Sequence, residues 1–220
     1  YDSNTDELQV DLDLPLLVYD SITIVDLRTA IDAKGPRLTG RVDMDRIERD
    51  SLFVHGLSID ATTTAGALTT TLRIADGEKE RYRIGTELRA VNGVRTLHVQ
   101  EDLVLNERTW TADARNLISM ASTGTEAEHF ILSSGSEQLQ LTTEPAHLRI
   151  ALTTFDMATI TGVITALDSI PVAQGMIDGE VLLPTSEGSL LSADVTISDL
   201  HALGTELGTL HATAKQGRPD

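Results

Sequence analysis

The sequence has no cysteine, and its 220 residues include only one Trp, three Tyr and three Phe. Without cysteine there are no disulfides, thiolate metal sites or Cys nucleophiles, and the redox compartment stays open. Cations are also scarce: Lys occurs only at 34, 79 and 215, and 17 Lys+Arg face 34 Asp+Glu, for a net charge of −17. Such a chain repels the phosphate backbone that supplies most nucleic-acid affinity, so no nucleic-acid partner is expected. An anionic membrane surface is disfavoured for the same reason. Long apolar runs are missing too, and the start, Tyr1-Asp2-Ser3-Asn4-Thr5-Asp6-Glu7, is acidic where a signal peptide is basic and then apolar. Lacking an initiator Met as well, the chain reads as an internal fragment of a longer protein. Dense carboxylates fit either a proteome selected at high salt or an ordinary acidic surface.

What remains is a period of two. Leu8, Val10, Leu12 and Leu14 alternate with Gln9, Asp11 and Asp13, as in a half-buried strand. The same alternation places Leu68, Leu72 and Ile74 on one face, then Tyr82, Ile84 and Leu88, Leu97 and Val99, and Leu103 and Leu105. Further copies are Leu139 and Leu141; Leu148, Ile150 and Leu152; Ile177, Val181 and Leu183; and Leu191, Ala193, Val195 and Ile197. Thr on many outward positions suits the pleat. Turn signals separate the runs at Lys34-Gly35-Pro36, Asp76-Gly77, Asn92-Gly93, Ser134-Gly135, Glu187-Gly188 and Leu203-Gly204. Asn92-Gly93 is the most specific, because a type I′ hairpin needs positive φ at both central residues. Short strands joined by tight turns predict an antiparallel meander in a single segment over 1–220.

One stretch departs from this period. Met157, Ile160, Val163, Ile164 and Leu167 follow helical spacing, Asp156 is placed to cap the N-terminus, and Pro171 stops extension, predicting an amphipathic helix near 157–168. A turn of helix around Met44–Arg49 is a weaker expectation. A dozen or more strands cannot stay flat and open, which leaves a sandwich, a barrel or a long folded sheet with an open seam.

Catalytic chemistry is not supported. His55, His98, His129, His147, His201 and His211 form no H-x-x-x-H or H-x-H pair, and no metal or cofactor is expected. Ser133-Ser134-Gly135-Ser136 lacks the preceding glycine of a nucleophile elbow and reads as a hairpin loop. Asp43–Asp50 lacks the turn glycine of a calcium loop and carries two arginines. Carboxylate pairs such as Asp11/Asp13 or Asp178/Glu180 are common only because carboxylates are common, so no enzymatic activity is expected.

Taken in order, Leu103-Val104-Leu105-Asn106-Glu107-Arg108-Thr109-Trp110, Phe130–Leu141, Thr154–Ile160, Gly175–Leu183, Ile197–Leu200 and Gly204–Leu210 resemble the TamB translocation and assembly module proteins, especially those of the Bacteroidetes lineage. The match covers about residues 100–213, with the first hundred similar only in pattern. Departures are the higher acidity and fewer aromatics. The resemblance implies an internal or C-terminal segment of an AsmA-like, bridge-like lipid transfer protein. Its fold would be an all-β, long curled antiparallel sheet, a "β-taco" with an open hydrophobic groove. It further implies a periplasmic location, an inner-membrane anchor helix outside this segment, phospholipid acyl chains as cargo, and an outer-membrane barrel partner of the TamA type.

On that reading the groove is lined by Leu68, Leu72, Ile74, Ile84, Leu88, Leu97, Val99, Leu103, Leu105, Leu139, Leu141, Leu148, Ile150, Leu152, Ile177, Val181, Leu183, Leu191, Val195 and Ile197. Met157, Ile160, Ile164 and Leu167 would form a helical cover, either a core plug or an end-cap of the groove. Two other readings stay open: a scaffold that binds nascent β-strands by edge augmentation, and a closed structural or adhesive β-module whose aliphatics are simply its core.

Overall fold

The computed structural model describes residues 7–50, 52–122, 124–163, 165–166, 172–186 and 188–216. Alternating sequence and hairpin turns produce one 18-stranded sheet, antiparallel throughout. Its first arm is a meander of β1 (Glu7–Tyr19), β2 (Ile22–Lys34), β3 (Arg37–Arg49), β4 (Leu52–Thr64), β5 (Ala67–Asp76) and β6 (Lys79–Val91). Five of these strands are 13 residues long, longer than the sequence pattern alone suggests. Asn92 and Gly93 both have positive φ (51° and 80°), as the type I′ turn between β6 and β7 requires.

Beyond β6 the rows split into two tiers of short strands. β7 (Val94–Val99), β10 (Leu117–Ala121) and β11 (Gly124–Glu128) continue the C-terminal half of β6. β8 (Asp102–Leu105), β9 (Arg108–Ala112) and β12 (Phe130–Ser134) continue its N-terminal half. The tiers meet again on β13 (Glu137–Glu144): β12 pairs with its first residues, and Thr143 Oγ1 accepts the Ala127 N–H of β11 at 2.6 Å. The second arm is β14 (His147–Asp156), β16 (Ala173–Pro184), β17 (Ser192–Ala202) and β18 (Thr205–Lys215).

Between β14 and β16 the chain forms α1 (Ala158–Thr161) and β15 (Thr165–Ala166), and β15 pairs with Leu52 and Phe53 of β4. Met157–Ala166 thus reaches from the second arm across to the first. Trp110 on β9 and Phe155 on β14 lie three rows apart, about 14 Å along a flat sheet, yet their ring centroids are 5.6 Å apart. The sheet therefore curls over its middle, where Trp110, Leu103, Phe155, Phe130, Leu132 and Ile177 form the buried cluster. It does not close into a barrel: among the described residues β1 pairs only with β2 and β18 only with β17.

Two local expectations need correction. The helix is a single turn, and Ile160, expected to cover the sheet, is 62% exposed while Thr159 is buried. Tertiary contacts prevail over the apolar spacing here. Thr159 is drawn inward by Arg108, and a Cβ on Gly162, just after the turn, would overlap the Ala158 carbonyl oxygen. Ile164 and Leu167 lie outside the described side chains. The capping site also shifts by one: Met157 holds the N-cap position, and Asp156 Oδ1 accepts the Ala158 N–H at 2.9 Å. Met44–Arg49 is strand, not helix, because Ile47 and Met44 pair across to Val54 and Leu57.

Candidate functional site: the apolar inner face

Cross-strand register decides which side chains share a face, since directly opposed residues in an antiparallel pair point the same way. Leu12 opposes Thr29, Thr29 opposes Val42, Val42 opposes Ile59, Ile59 opposes Leu72 and Leu72 opposes Ile84. A second line runs from Leu68 to Leu88, Leu97, Ile118 and Ala127 through the far tier. In the near tier Leu103 opposes Trp110, Ala112 opposes Leu132, and Leu132 opposes Leu139. On the second arm Leu139 meets Leu152, Leu141 meets Ile150, and Leu148, Ile150 and Phe155 meet Leu183, Val181 and Ile177. Ile177 opposes Ile197, and Gly179 opposes Val195. Nineteen of the twenty expected groove residues therefore lie on strands sharing one face; Leu191 immediately precedes β17 and bonds Gln216 instead.

The opposite face is polar and laced by ion pairs. Arg41 bonds Asp43 at 2.7 Å and approaches Asp60 at 3.6 Å, while Arg73 bonds Asp60 at 2.6 Å and reaches Glu80, which also pairs with Arg83. The hydrogen bonds from Arg41 hold the Asp43 carboxyl below its ordinary range. Arg149 pairs with Glu180 on the second arm at 2.8 Å. The excess carboxylate thus sits outside, where each exposed pair contributes at most about 1 kcal/mol.

Exposure along the apolar face is uneven. Ile74, Val99, Leu103 and Ile177 are fully buried, and the remaining groove residues are half-buried. Val99, Leu103 and Ile177 belong to the cluster around Trp110 and Phe155, whereas Ile74 lines the cavity beside α1. Away from that cluster Leu68, Leu88, Leu97 and Met120 keep part of their surface accessible, as do Ile118 and Leu148, which pack against the edge of the cluster. The face is therefore packed shut around Trp110 and Phe155, with Val99 and Ala127 of the far tier also buried, and is half-accessible at the far-tier positions Leu97, Ile118 and Met120. Sequence reasoning missed this plug, although Trp110, Phe130 and Phe155 are three of the seven aromatics.

A polar latch fixes α1 over the plug. Arg108 forks onto both oxygens of the buried Glu137 and donates to Thr159 Oγ1 at 2.8 Å, with Asp156 at 3.4 Å. Glu137 Oε2 also accepts the Asp156 N–H. Arg81 donates to the Gly162 carbonyl at 2.8 Å, and the Tyr82 hydroxyl lies 3.5 Å from the Ala158 carbonyl. Burial pushes the Tyr82 phenol up to about 12. Beside this turn a cavity of about 400 Å³ is lined by Phe53, His55, Ile74, Arg81, Glu107 and Val163.

No family model matches the chain, and no curated protein or solved structure is significantly similar to it. Among the described residues no group of His, Asp and Glu is arranged to hold a metal ion, and no helix is long and apolar enough to cross a membrane.

Proposed function

We propose that this chain is a periplasmic segment of a TamB-like protein whose apolar inner face holds phospholipid acyl chains during transfer between membranes or outer-membrane protein assembly. The observation that carries the reading is the register-aligned aliphatic face, continuous from β1 to β18 and half-accessible along the far tier. The sheet is roughly 60 Å long at about 4.8 Å per row, several times the length of one acyl chain. Each methylene removed from water contributes about 0.8 kcal/mol without any directional contact, which suits sliding rather than tight capture. The plug under Trp110 and Phe155 directs the path to the far tier, past Leu88, Leu97, Ile118 and Met120.

Organic extraction of the purified protein followed by lipid mass spectrometry tests this. Bound phospholipid is the expected result, with its loss in Ile150→Asp, Val195→Asp or Met120→Asp variants that keep the native circular dichroism. Lipid-free protein, together with no binding of a fluorescent acyl probe, overturns it.

Among the described residues β1 and β18 each have a hydrogen-bonded neighbour on one side, which favours a second reading, a scaffold that receives nascent strands of an outer-membrane barrel by augmentation. Protection of β1 or β18 amides from hydrogen exchange on adding such strand peptides is its signature.

A further inference from the structure

The sheet forks beside α1. The ladder from β4 to β5 stops at Leu57, and β15 takes up the same edge of β4 only at Phe53 and Leu52. Between them Gly56, with φ +56°, presses its backbone against β5, so that a Cβ there would overlap the Ala75 carbonyl oxygen. Past this pinch the cavity of about 400 Å³ fills the fork. Small-molecule sites span about 300–1,000 Å³.

Backbone irregularities aim two charges into the fork. Register between β5 and β6 slips from Ile74–Tyr82 to Ala75–Glu80, which makes Arg81 the extra residue of a bulge, a device that re-aims a side chain. Glu107 occupies the β8–β9 turn with φ +67°, and its N–H donates to the Arg81 carbonyl at 2.8 Å. Arg81 donates through Nη2 to Gly162, but its Nε is buried without a hydrogen-bond acceptor, Glu107 Oε1 lying 3.8 Å away. A buried donor left open in this way suits an incoming acceptor. From the β4 side the His55 ring stands edge-on to Phe53, with centroids 4.7 Å apart, and its nitrogens make no hydrogen bond among the described residues. Asp76, also on the cavity wall, makes no ion pair among them.

Arg81 and Lys79, the latter bound to Glu107 Oε2, offset Glu107 and Asp76. The fork therefore has little net charge for a bare anion and instead offers separated groups of both signs. We propose that it binds a phosphoester carrying an ammonium group, the shared chemistry of an amine-bearing phospholipid head group and of a free phosphoester. Phosphate oxygens accept from Arg81 Nε and the His55 ring, as guanidinium and phosphate pair strongly, and the ammonium meets the Asp76 carboxylate. Ile74 opposes Leu57 and follows Leu72 on the apolar face, so a lipid held here passes its acyl chains onto that face. A lipid source rests on the function proposed above; the site itself does not.

Equilibrium dialysis of the 220-residue chain against O-phosphoethanolamine tests the site, with inorganic phosphate and ethanolamine as comparisons. Phosphoethanolamine should bind about fivefold or more tightly than either, and Arg81→Lys, which keeps the charge but loses the Nε donor, should weaken it by a similar factor. Asp76→Asn should abolish the preference over inorganic phosphate, and His55→Gln should weaken both ligands; neither side chain holds α1, so native circular dichroism is expected. Dihexanoyl phosphatidylethanolamine below its micelle concentration separates the sources: tighter binding than the soluble head group assigns a lipid, and equal binding assigns a free phosphoester and overturns the lipid source. No binding of phosphoethanolamine, inorganic phosphate bound as tightly, or affinities unchanged by Asp76→Asn and His55→Gln overturns the proposal. Phospholipid recovered by extraction from a chain that fails these tests removes this site and leaves the acyl-chain reading in place.

Discussion

The carboxamide of Asn116 pairs with the backbone of Val99 as a strand residue does. Its Oδ1 accepts the Val99 N–H at 2.8 Å and its Nδ2 donates to the Val99 carbonyl at 2.7 Å. A third bond, from Nδ2 to the Asp113 carbonyl at 2.7 Å, fixes the loop that carries it, and the side chain is fully buried. One amide thus stitches the seam where the far tier turns into the near tier, between the end of β7 and the start of β10.

Asn116→Ala removes all three bonds and leaves Val99 with a buried donor and acceptor unpaired. We expect a loss of about 3 kcal/mol in urea unfolding. Asn116→Asp should be nearly as damaging, because a carboxylate accepts from the Val99 N–H but cannot donate to the two carbonyls.

Gly179 sits on the apolar face between Leu152 and Val195 with φ +146°, and a Cβ there would overlap the Asp194 carbonyl oxygen. Gly179→Ala combines backbone strain with a clash, so a loss of about 2 kcal/mol or more is expected. The measurement is the thermal midpoint compared with Gly188→Ala, where nothing lies within 4 Å of the added carbon.

The latch predicts loosening that is greatest at α1. Replacing Arg108 with Ala leaves the buried Glu137 without its partner and frees Thr159. Hydrogen exchange at Ala158–Thr161 should accelerate at least tenfold, with global stability falling by about 2 kcal/mol. Thr159→Val, which removes only one bond, should show a smaller acceleration at the same amides.

Tyr82 gives a pH signature. Its folded-state value of about 12 lies above the ordinary 10, so between those values the unfolded chain releases a proton that the folded chain retains. The stabilising contribution is complete below pH 10 and is lost as pH rises toward 12. Urea midpoints measured from pH 9 to 12 should fall, and Tyr82→Phe should flatten part of that decline.

Much of this architecture is legible in the sequence. Alternation at Leu68–Ile74 and Leu148–Leu152 places strands and their apolar face, and Asn92-Gly93 places a hairpin, because both signals are local. The tiers are not legible, since the seam depends on Asn116 reaching a backbone 17 residues away. The latch hides for the same reason, with Arg108 and Glu137 separated by 29 residues. Met157, Ile160 and Val163 mimic a helix because their spacing matches one. In the fold Met157 packs on the core, Ile160 faces water and Val163 lines the cavity beside Arg81.

On the proposed function, acyl chains occupy the inner face and not the outer one. Adjacent residues on β5 separate the two: Leu72 lies on the apolar face and Thr71 on the ion-paired face. A photoreactive amino acid placed at each position in turn, with phospholipid vesicles as the probe, reads the difference as lipid cross-linked to protein. Strong cross-linking is expected from position 72 and from Met120 on the far tier, with background from position 71. Equal labelling of both faces, or none at 72 and 120, would contradict it.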